Sequence, residues 1–169
     1  MTNRENNLAA QLGDLVLGID HVAIAVADID AAIDRYSAAL GFALVERSKV
    51  SGDFSGMLYA VMHCGSATIV LVQGTSPASQ VSKFLESYGS GMHHIAFAVS
   101  DLDAAIHKAK LAGAVADTPV VSDEGIRQTF LQRDGATGVR IELIERHGAA
   151  FSEHNVLQLF KALEAKDLF

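Results

Sequence analysis

Two histidines, His21 and His94, stand at the same place in two copies of one sequence unit, and a histidine that is duplicated with its surroundings points to a paired metal site. The segment Gly18-Ile-Asp-His-Val-Ala-Ile-Ala-Val-Ala-Asp-Ile-Asp-Ala-Ala-Ile33 returns 73 residues later as Gly91-Met-His-His-Ile-Ala-Phe-Ala-Val-Ser-Asp-Leu-Asp-Ala-Ala-Ile106, with 10 of 16 positions identical. Successive side chains of a strand point to opposite faces. Val22, Ile24 and Val26 therefore share a face, as do Ile95, Phe97 and Val99, and this bulky side should pack under the following helix. The other face carries His21, Ala23 and Ala25, and again His94, Ala96 and Ala98. An imidazole flanked by methyl groups leaves space that a close-packed interior would fill. A lone histidine in such a strand is ordinarily a satisfied core residue; two at equivalent positions, each beside alanines, favour ligands.

The duplication also says where to look for a third ligand. The last strand of the second unit reads Ile141-Glu-Leu-Ile-Glu145, and that of the first reads Ile69-Val-Leu-Val-Gln73, so Glu142 aligns with Val70 and Glu145 with Gln73. If Ile141 and Leu143 face the helices, Glu142 shares the other face with Arg140 and Ile144. A carboxylate in an apolar strand is costly unless a cation is beside it. The alternative is a surface pair with Arg140 or a lysine. Two imidazoles and one carboxylate leave coordination positions open, which suits non-haem Fe(II). Zinc, manganese, cobalt or nickel could take the same ligands.

The elements that must position these residues are legible. Asp28 and Asp101 stand where N-caps belong, with Asp30 and Asp103 in the first turn, where the helix dipole favours acid. Helices are expected over about 28–40 and 101–113, stopped by Gly41 and Gly113. Extended runs follow at Phe42 to Val50, Met57 to Cys64 and Ala67 to Gln73, and in the second unit at Val115 to Val121, Ile126 to Arg133 and Gly138 to Arg146. Each unit thus reads strand, helix, strand, strand, strand. Val81, Phe84 and Leu85 mark a linking helix, and Val156, Leu159, Phe160 and Leu163 an apolar stripe on a terminal one. Leu8, Leu12 and Leu15 suggest a short leading helix over Glu5 to Leu15, at a dimer seam. The expected architecture is α+β, a single domain over 1–169: unit one at about 17–75, the linker helix at 77–88, unit two at about 90–146 and the helical tail at 152–167.

Composition bounds the function. A chain of 169 residues is long enough to bury a substantial core. Its single cysteine, Cys64, excludes an internal disulfide framework and fits a cytoplasmic setting. A net charge of −7 without a Lys/Arg block argues against nucleic acid as partner. No apolar run approaches the roughly 20 residues of a membrane span, and Met1 to Asn7 does not read as a secretory signal. The expected partner is a small-molecule substrate.

The doubled βαβββ unit, its two opening histidines and the Glu in the final strand resemble the vicinal oxygen chelate (glyoxalase/bleomycin resistance/dioxygenase) superfamily over about residues 17–147. The resemblance implies two units side by side, with strands curling into an open, barrel-like mixed sheet around a metal held by His21, His94 and Glu142. It also implies a homodimer. The stretch Ser79 to Phe97 resembles both methylmalonyl-CoA epimerase and the catalytic domain of 4-hydroxyphenylpyruvate dioxygenase. The epimerase pattern expects a fourth ligand, Gln, where Val70 stands. The tail from Ile141 to Glu164 is similar to the end of the dioxygenase domain, where a terminal helix covers the site. This chain has one pair of units where that dioxygenase has a further amino-terminal domain, and His93 where it commonly has Gln.

The resemblance therefore implies a non-haem Fe(II) dioxygenase of a 2-oxo acid. Gln128, Gln132 and Arg140 are candidate polar walls of its cavity. The alternatives are a divalent-metal isomerase or lyase of the epimerase or glyoxalase type, with Glu145, Gln73 and Glu46 as the bases to consider, or a non-catalytic small-molecule binder. His63 is a candidate fourth ligand; His107, His147 and His154 read as solvated or packing residues.

Overall fold

The computed structural model describes residues 12–169. A 3-10 turn at Gly13–Leu15 leads into β1 (Val16–Ala25), α1 (Ile29–Leu40), β2 (Ala43–Ser51), β3 (Gly56–Cys64) and β4 (Ala67–Gly74). After α2 (Gln80–Tyr88) the second unit repeats the order: β5 (Gly91–Val99), α3 (Leu102–Leu111), β6 (Val121–Asp123), β7 (Ile126–Phe130) and β8 (Arg140–Arg146), followed by α4 (Glu153–Glu164). The leading helix expected from Glu5 falls mostly outside the described residues; its end, Gly13–Leu15, is the single 3-10 turn. Among the described residues no helix is long and apolar enough to cross a membrane.

The strands form one mixed sheet in the order β2-β3-β4-β1-β5-β8-β7-β6. β1 and β5 pair antiparallel at its centre, so the units meet through the strands that carry His21 and His94. Each central strand takes the last strand of its own unit as a parallel outer neighbour, β4 beside β1 and β8 beside β5. Residues of β1, β3, β4, β5, β7 and β8 line a common cavity, around which the sheet curls as an open half-barrel.

The alternation places the faces as the sequence requires. Ile24 and Val26 pack with Ile29, Ile33 and Tyr36 under α1. Phe97, Val99, Ile141 and Leu143 pack with Leu102, Ala105 and Ala109 under α3. Asp28 caps α1 by accepting from Ala31 N at 3.0 Å, and Asp101 caps α3 from Ala104 N at 2.9 Å. A second duplicated pair does the same work from the sheet: Gln73 Oε1 accepts from Ile29 N and Glu145 Oε2 from Leu102 N, both at 2.8 Å. Gly41, at φ 72°, ends α1 in the left-handed region that a side chain would strain.

The second unit departs from expectation at its edge. Instead of a strand over Val115 to Val121, there is one bridge at Ala116↔Leu131 and the short β6. Pro119 has no N–H to give a ladder. Thr118 Oγ1 instead accepts from Phe130 N at 2.9 Å, replacing a strand carbonyl.

Helix α4 closes the half-barrel. It touches both β2 and β6, the two edge strands of the sheet. Its stripe faces inward, with Leu159, Phe160 and Leu163 buried and Val156 partly so. Polar ties fix both ends: Ser152 Oγ donates to Asp123 Oδ2 at 2.7 Å, and Glu164 accepts from Asp53 N at 2.8 Å and Ser55 Oγ at 2.6 Å.

Replacing Gln73 by Ala removes a helix-end partner far from the histidines. It should cost about 1 kcal/mol in urea-induced unfolding and leave metal uptake unchanged.

Candidate metal centre

β1, β5 and β8 deliver three donor atoms to one point. His21 Nε2 lies 3.2 Å from His94 Nε2 and 3.4 Å from Glu142 Oε2, and His94 Nε2 lies 3.2 Å from the same oxygen. All three residues are buried. Two register relations explain the convergence: Ala23 pairs with His94 across β1 and β5, and Ala96 pairs with Glu142 across β5 and β8. The alanines keep the space between the three side chains open.

The donor set fits a divalent cation. With bonds of about 2.1 Å to nitrogen and oxygen, ligands at right angles stand about 3.0 Å apart and ligands at the tetrahedral angle about 3.4 Å. The triangle lies within that interval. Glu142 Oε1 is buried and has no hydrogen-bond partner, an orphan charge-bearing atom that a cation or its ligand would satisfy. Val70 occupies the fourth symmetric position and lines the cavity without offering a donor. The surface pair of Glu142 with a basic residue does not form; Arg140 turns instead to Asp117, at 3.2 Å.

Both imidazoles are oriented by the residue immediately before them, which strict alternation forbids. Asp20 Oδ1 lies 2.8 Å from His21 Nδ1, and His93 Nδ1 lies 2.9 Å from His94 Nδ1. Irregularities of pairing make this possible: the ladder steps from Ile19↔Phe97 to His21↔Ala96, skipping Asp20, and from Ala23↔His94 to Ile24↔Met92, skipping His93. Such bulges insert one residue and re-aim its side chain. Asp20 and His93 are themselves equivalent in the repeat, so the position of the orienting partner is duplicated along with the imidazole. Asp20 is anchored by Arg146, whose Nε and Nη2 donate to its two oxygens at 2.6 and 2.9 Å. Carboxylate–imidazole–metal chains of this kind fix tautomer and strengthen the ligand.

The charges follow this wiring. Burial works against protonation of His21, but Asp20 and Glu142 outweigh it and lift its pKa to about 9. Burial likewise raises Glu142, yet His21 and His94 overcome it and hold the carboxyl down at about 2. Asp20 is kept far below the carboxylate range by His21 and Arg146 despite its own burial. Burial depresses His94, and it depresses His93 more strongly, with His94, Arg133 and Arg140 adding to the effect. The raised pKa favours a proton on His21 at neutral pH, beside the Glu142 carboxylate.

The cavity above the triad is small, about 70 Å³, and mostly apolar. Val61, Val72, Val81, Phe130, Phe160 and Leu163 are among its apolar walls. Four buried polar atoms beside it lack partners: Gln80 Oε1, His93 Nε2, Gln128 Oε1 and Asn155 Nδ2, the last on the amide that accepts from Gln128 Nε2. Of the polar walls expected from sequence, Gln128 lines the cavity, whereas Gln132 is exposed and Arg140 lies outside the lining. The loss of regular pairing after Phe130 carries Gln132 away. His63, His107, His147 and His154 are exposed and none joins the triad. Glu145 and Gln73 are engaged at helix starts, and Glu46 accepts from the Tyr59 hydroxyl. The sequence assigns no role to Asp20 or Gln80 and marks His93 only as standing where the resembled dioxygenase has Gln; the equivalence of positions 20 and 93 in the repeat is the signal that could have found the orienting pair.

Comparison with known proteins identifies the family and the fold. The family model described as "Glyoxalase/Bleomycin resistance protein/Dioxygenase superfamily" matches residues 18–143. An ethylmalonyl-CoA/methylmalonyl-CoA epimerase of Cereibacter sphaeroides is 32% identical over 129 residues, 74% of this chain and 95% of that protein. The crystal structure of methylmalonyl-CoA epimerase from Mycobacterium tuberculosis, 35% identical, superposes with TM-score 0.63 over 78% of this chain and 89% of its own. A mutant of 4-hydroxymandelate synthase from Streptomyces coelicolor superposes with TM-score 0.78 at 20% identity, a likeness of fold; the match covers 88% of this chain and 53% of that one.

Asp20→Asn should weaken binding of a divalent metal about 10- to 100-fold in competition with a chelator, with the fold retained by circular dichroism. Metal must also displace the His21 proton. Affinity should therefore rise about tenfold per pH unit from neutrality towards pH 9 and level off above it, with about one proton released per ion. Equal affinity at pH 7 and 9 would refute the assignment of that proton.

Proposed function

We propose that this chain, which belongs to the Glyoxalase/Bleomycin resistance protein/Dioxygenase superfamily, is a non-haem Fe(II) dioxygenase acting on a small 2-oxo acid, with His21, His94 and Glu142 as the metal ligands. The observation that carries this reading is the three-ligand face with Val70 at the fourth symmetric position. Three protein donors leave room for a bidentate acid and a third small ligand. When bound, the metal supplies a chelating centre for the acid and a site for dioxygen.

The protein's own part is charge balance, orientation and exclusion of water. Glu142 contributes one negative charge against two positive charges, and the carboxylate of a 2-oxo acid contributes the second, so the loaded site is neutral. Neutrality matters in an apolar cavity, where an uncompensated charge is expensive. Asp20 and His93 hold the imidazoles at the angle the triad requires. The Gln128–Asn155 amide pair, Gln80 and His93 present unpaired donors and acceptors to the ligand. Helix α4 and the valine-rich walls keep bulk water from the reacting atoms.

A second reading is favoured by the 32% identity to a CoA-ester epimerase. Such an enzyme moves a proton between two faces of a carbon, which calls for acid–base groups on both sides. Among the described residues, Glu142 is the only carboxylate lining the cavity, and the two histidines hold it. The three-ligand face therefore supports the oxygenase reading better.

Protein stripped of metal and reloaded with Fe(II) should consume oxygen with at least one member of a 2-oxo acid panel, and Glu142→Ala should abolish uptake. Solvent deuterium appearing in methylmalonyl-CoA, with no oxygen consumed on any acid, would establish the epimerase reading instead.

A further inference from the structure

The cavity over the triad is too small for most of the acids such an enzyme could take. An apolar cavity that holds one benzene ring measures about 150 Å³, against about 70 Å³ here. Beyond it lies a second, larger chamber of about 250 Å³. Phe151 and Val61 line both chambers, so they form the partition between them. Val61 is fixed in β3, but Phe151 sits in the connection between β8 and α4, where its side chain is only half-buried. Its ring stands edge-on to His21 at 5.1 Å, and the Arg146 guanidinium lies 4.2 Å from its centre.

The outer chamber has its own chemistry. Val45 and Glu46 both face it although they are neighbours in β2, because the pairing skips Val45 between Leu44↔Met62 and Glu46↔Val61. His63 and Thr68 add polar groups. Arg146 is its one cationic side chain other than a protonated histidine, and its charge is already balanced by Asp20, which accepts from its Nε and Nη2, while Nη1 donates to the Ala149 carbonyl at 3.1 Å. Glu46 Oε1 takes the Tyr59 hydroxyl, which leaves Oε2 for a ligand's donor. With Arg146 neutralised by Asp20, Glu46 is the carboxylate of the chamber without a cationic partner of its own.

The geometry points to the outer chamber as the subsite for the far end of the ligand, with Phe151 as the movable partition and a hydroxyl, amine or guanidine, rather than an anion, as the group it takes. This rests on the 2-oxo acid reading and names the class of acid. The head chelates over the triad, the chain passes where the Phe151 ring now stands, and the terminal donor reaches Glu46. A terminal carboxylate or phosphate would meet Glu46 and Asp20 instead.

Calorimetric titration of the Mn(II)-loaded protein under nitrogen tests this with four probes: 2-oxobutanoate, 4-hydroxyphenylpyruvate, 2-oxo-5-guanidinopentanoate and 2-oxoadipate. The guanidino and hydroxyphenyl acids should bind at least tenfold tighter than 2-oxobutanoate, and 2-oxoadipate should not. Val45→Trp, a change at an exposed position that fills the outer chamber, should erase that advantage and leave 2-oxobutanoate within twofold. Glu46→Gln should weaken the guanidino acid about tenfold and spare the others. If 2-oxobutanoate binds but Val45→Trp leaves the longer acids unaffected, or if 2-oxoadipate binds tightest, the subsite is overturned while the oxygenase reading stands. If no acid binds, both fall.

Discussion

A carboxylate and two imidazoles buried within 3.4 Å of one another need a positive charge among them. An unpaired buried carboxylate costs several kcal/mol. In the metal-free chain Asp20 and Glu142 favour a proton on His21, which would supply that charge. A proton is a poor fit for a triangle of three donors, because it bonds along one or two directions, whereas a divalent ion satisfies all three. The requirement for that charge organises the surroundings: alanines that leave room for it, a clamped aspartate behind one imidazole and a histidine behind the other, and walls that keep water out.

The fold serves this point economically, because the two strands that carry the histidines are also the seam between the units. Pairing β1 with β5 brings residues 73 positions apart into contact, and the parallel neighbour β8 places Glu142 one strand further on. The curl of the sheet then makes a hollow, and α4 bridges the two sheet edges to close it. Closure by α4, tied at both ends by side-chain hydrogen bonds, gives an apolar cavity without a complete barrel.

How much of this was legible in the sequence depends on where period-two alternation holds. It holds for His21, Ala23 and Ala25, for His94 and Ala96, and for Glu142 against Ile141 and Leu143, so the face of each follows from the residues alone. The duplication gave the architecture, since each unit repeats caps, helix and strands in the same order. Alternation fails at bulges. Asp20, His93 and Val45 each share a side with the residue that follows, and a bulge is a property of pairing that one strand's sequence does not display. The failure of the Val115 to Val121 strand has a local cause in Pro119 that could have been read. The placing of Gln132 outside the cavity could not, because it depends on where β7 stops pairing.

Anomalous diffraction from crystals grown with Mn(II) or Fe(II) tests the central claim most directly. The account predicts one strong peak per chain, bonded at about 2.1 Å to His21 Nε2, His94 Nε2 and a Glu142 oxygen, with no bond from Val70 or His63. A fully occupied metal elsewhere, or an empty triad at millimolar metal and pH 8, would contradict it.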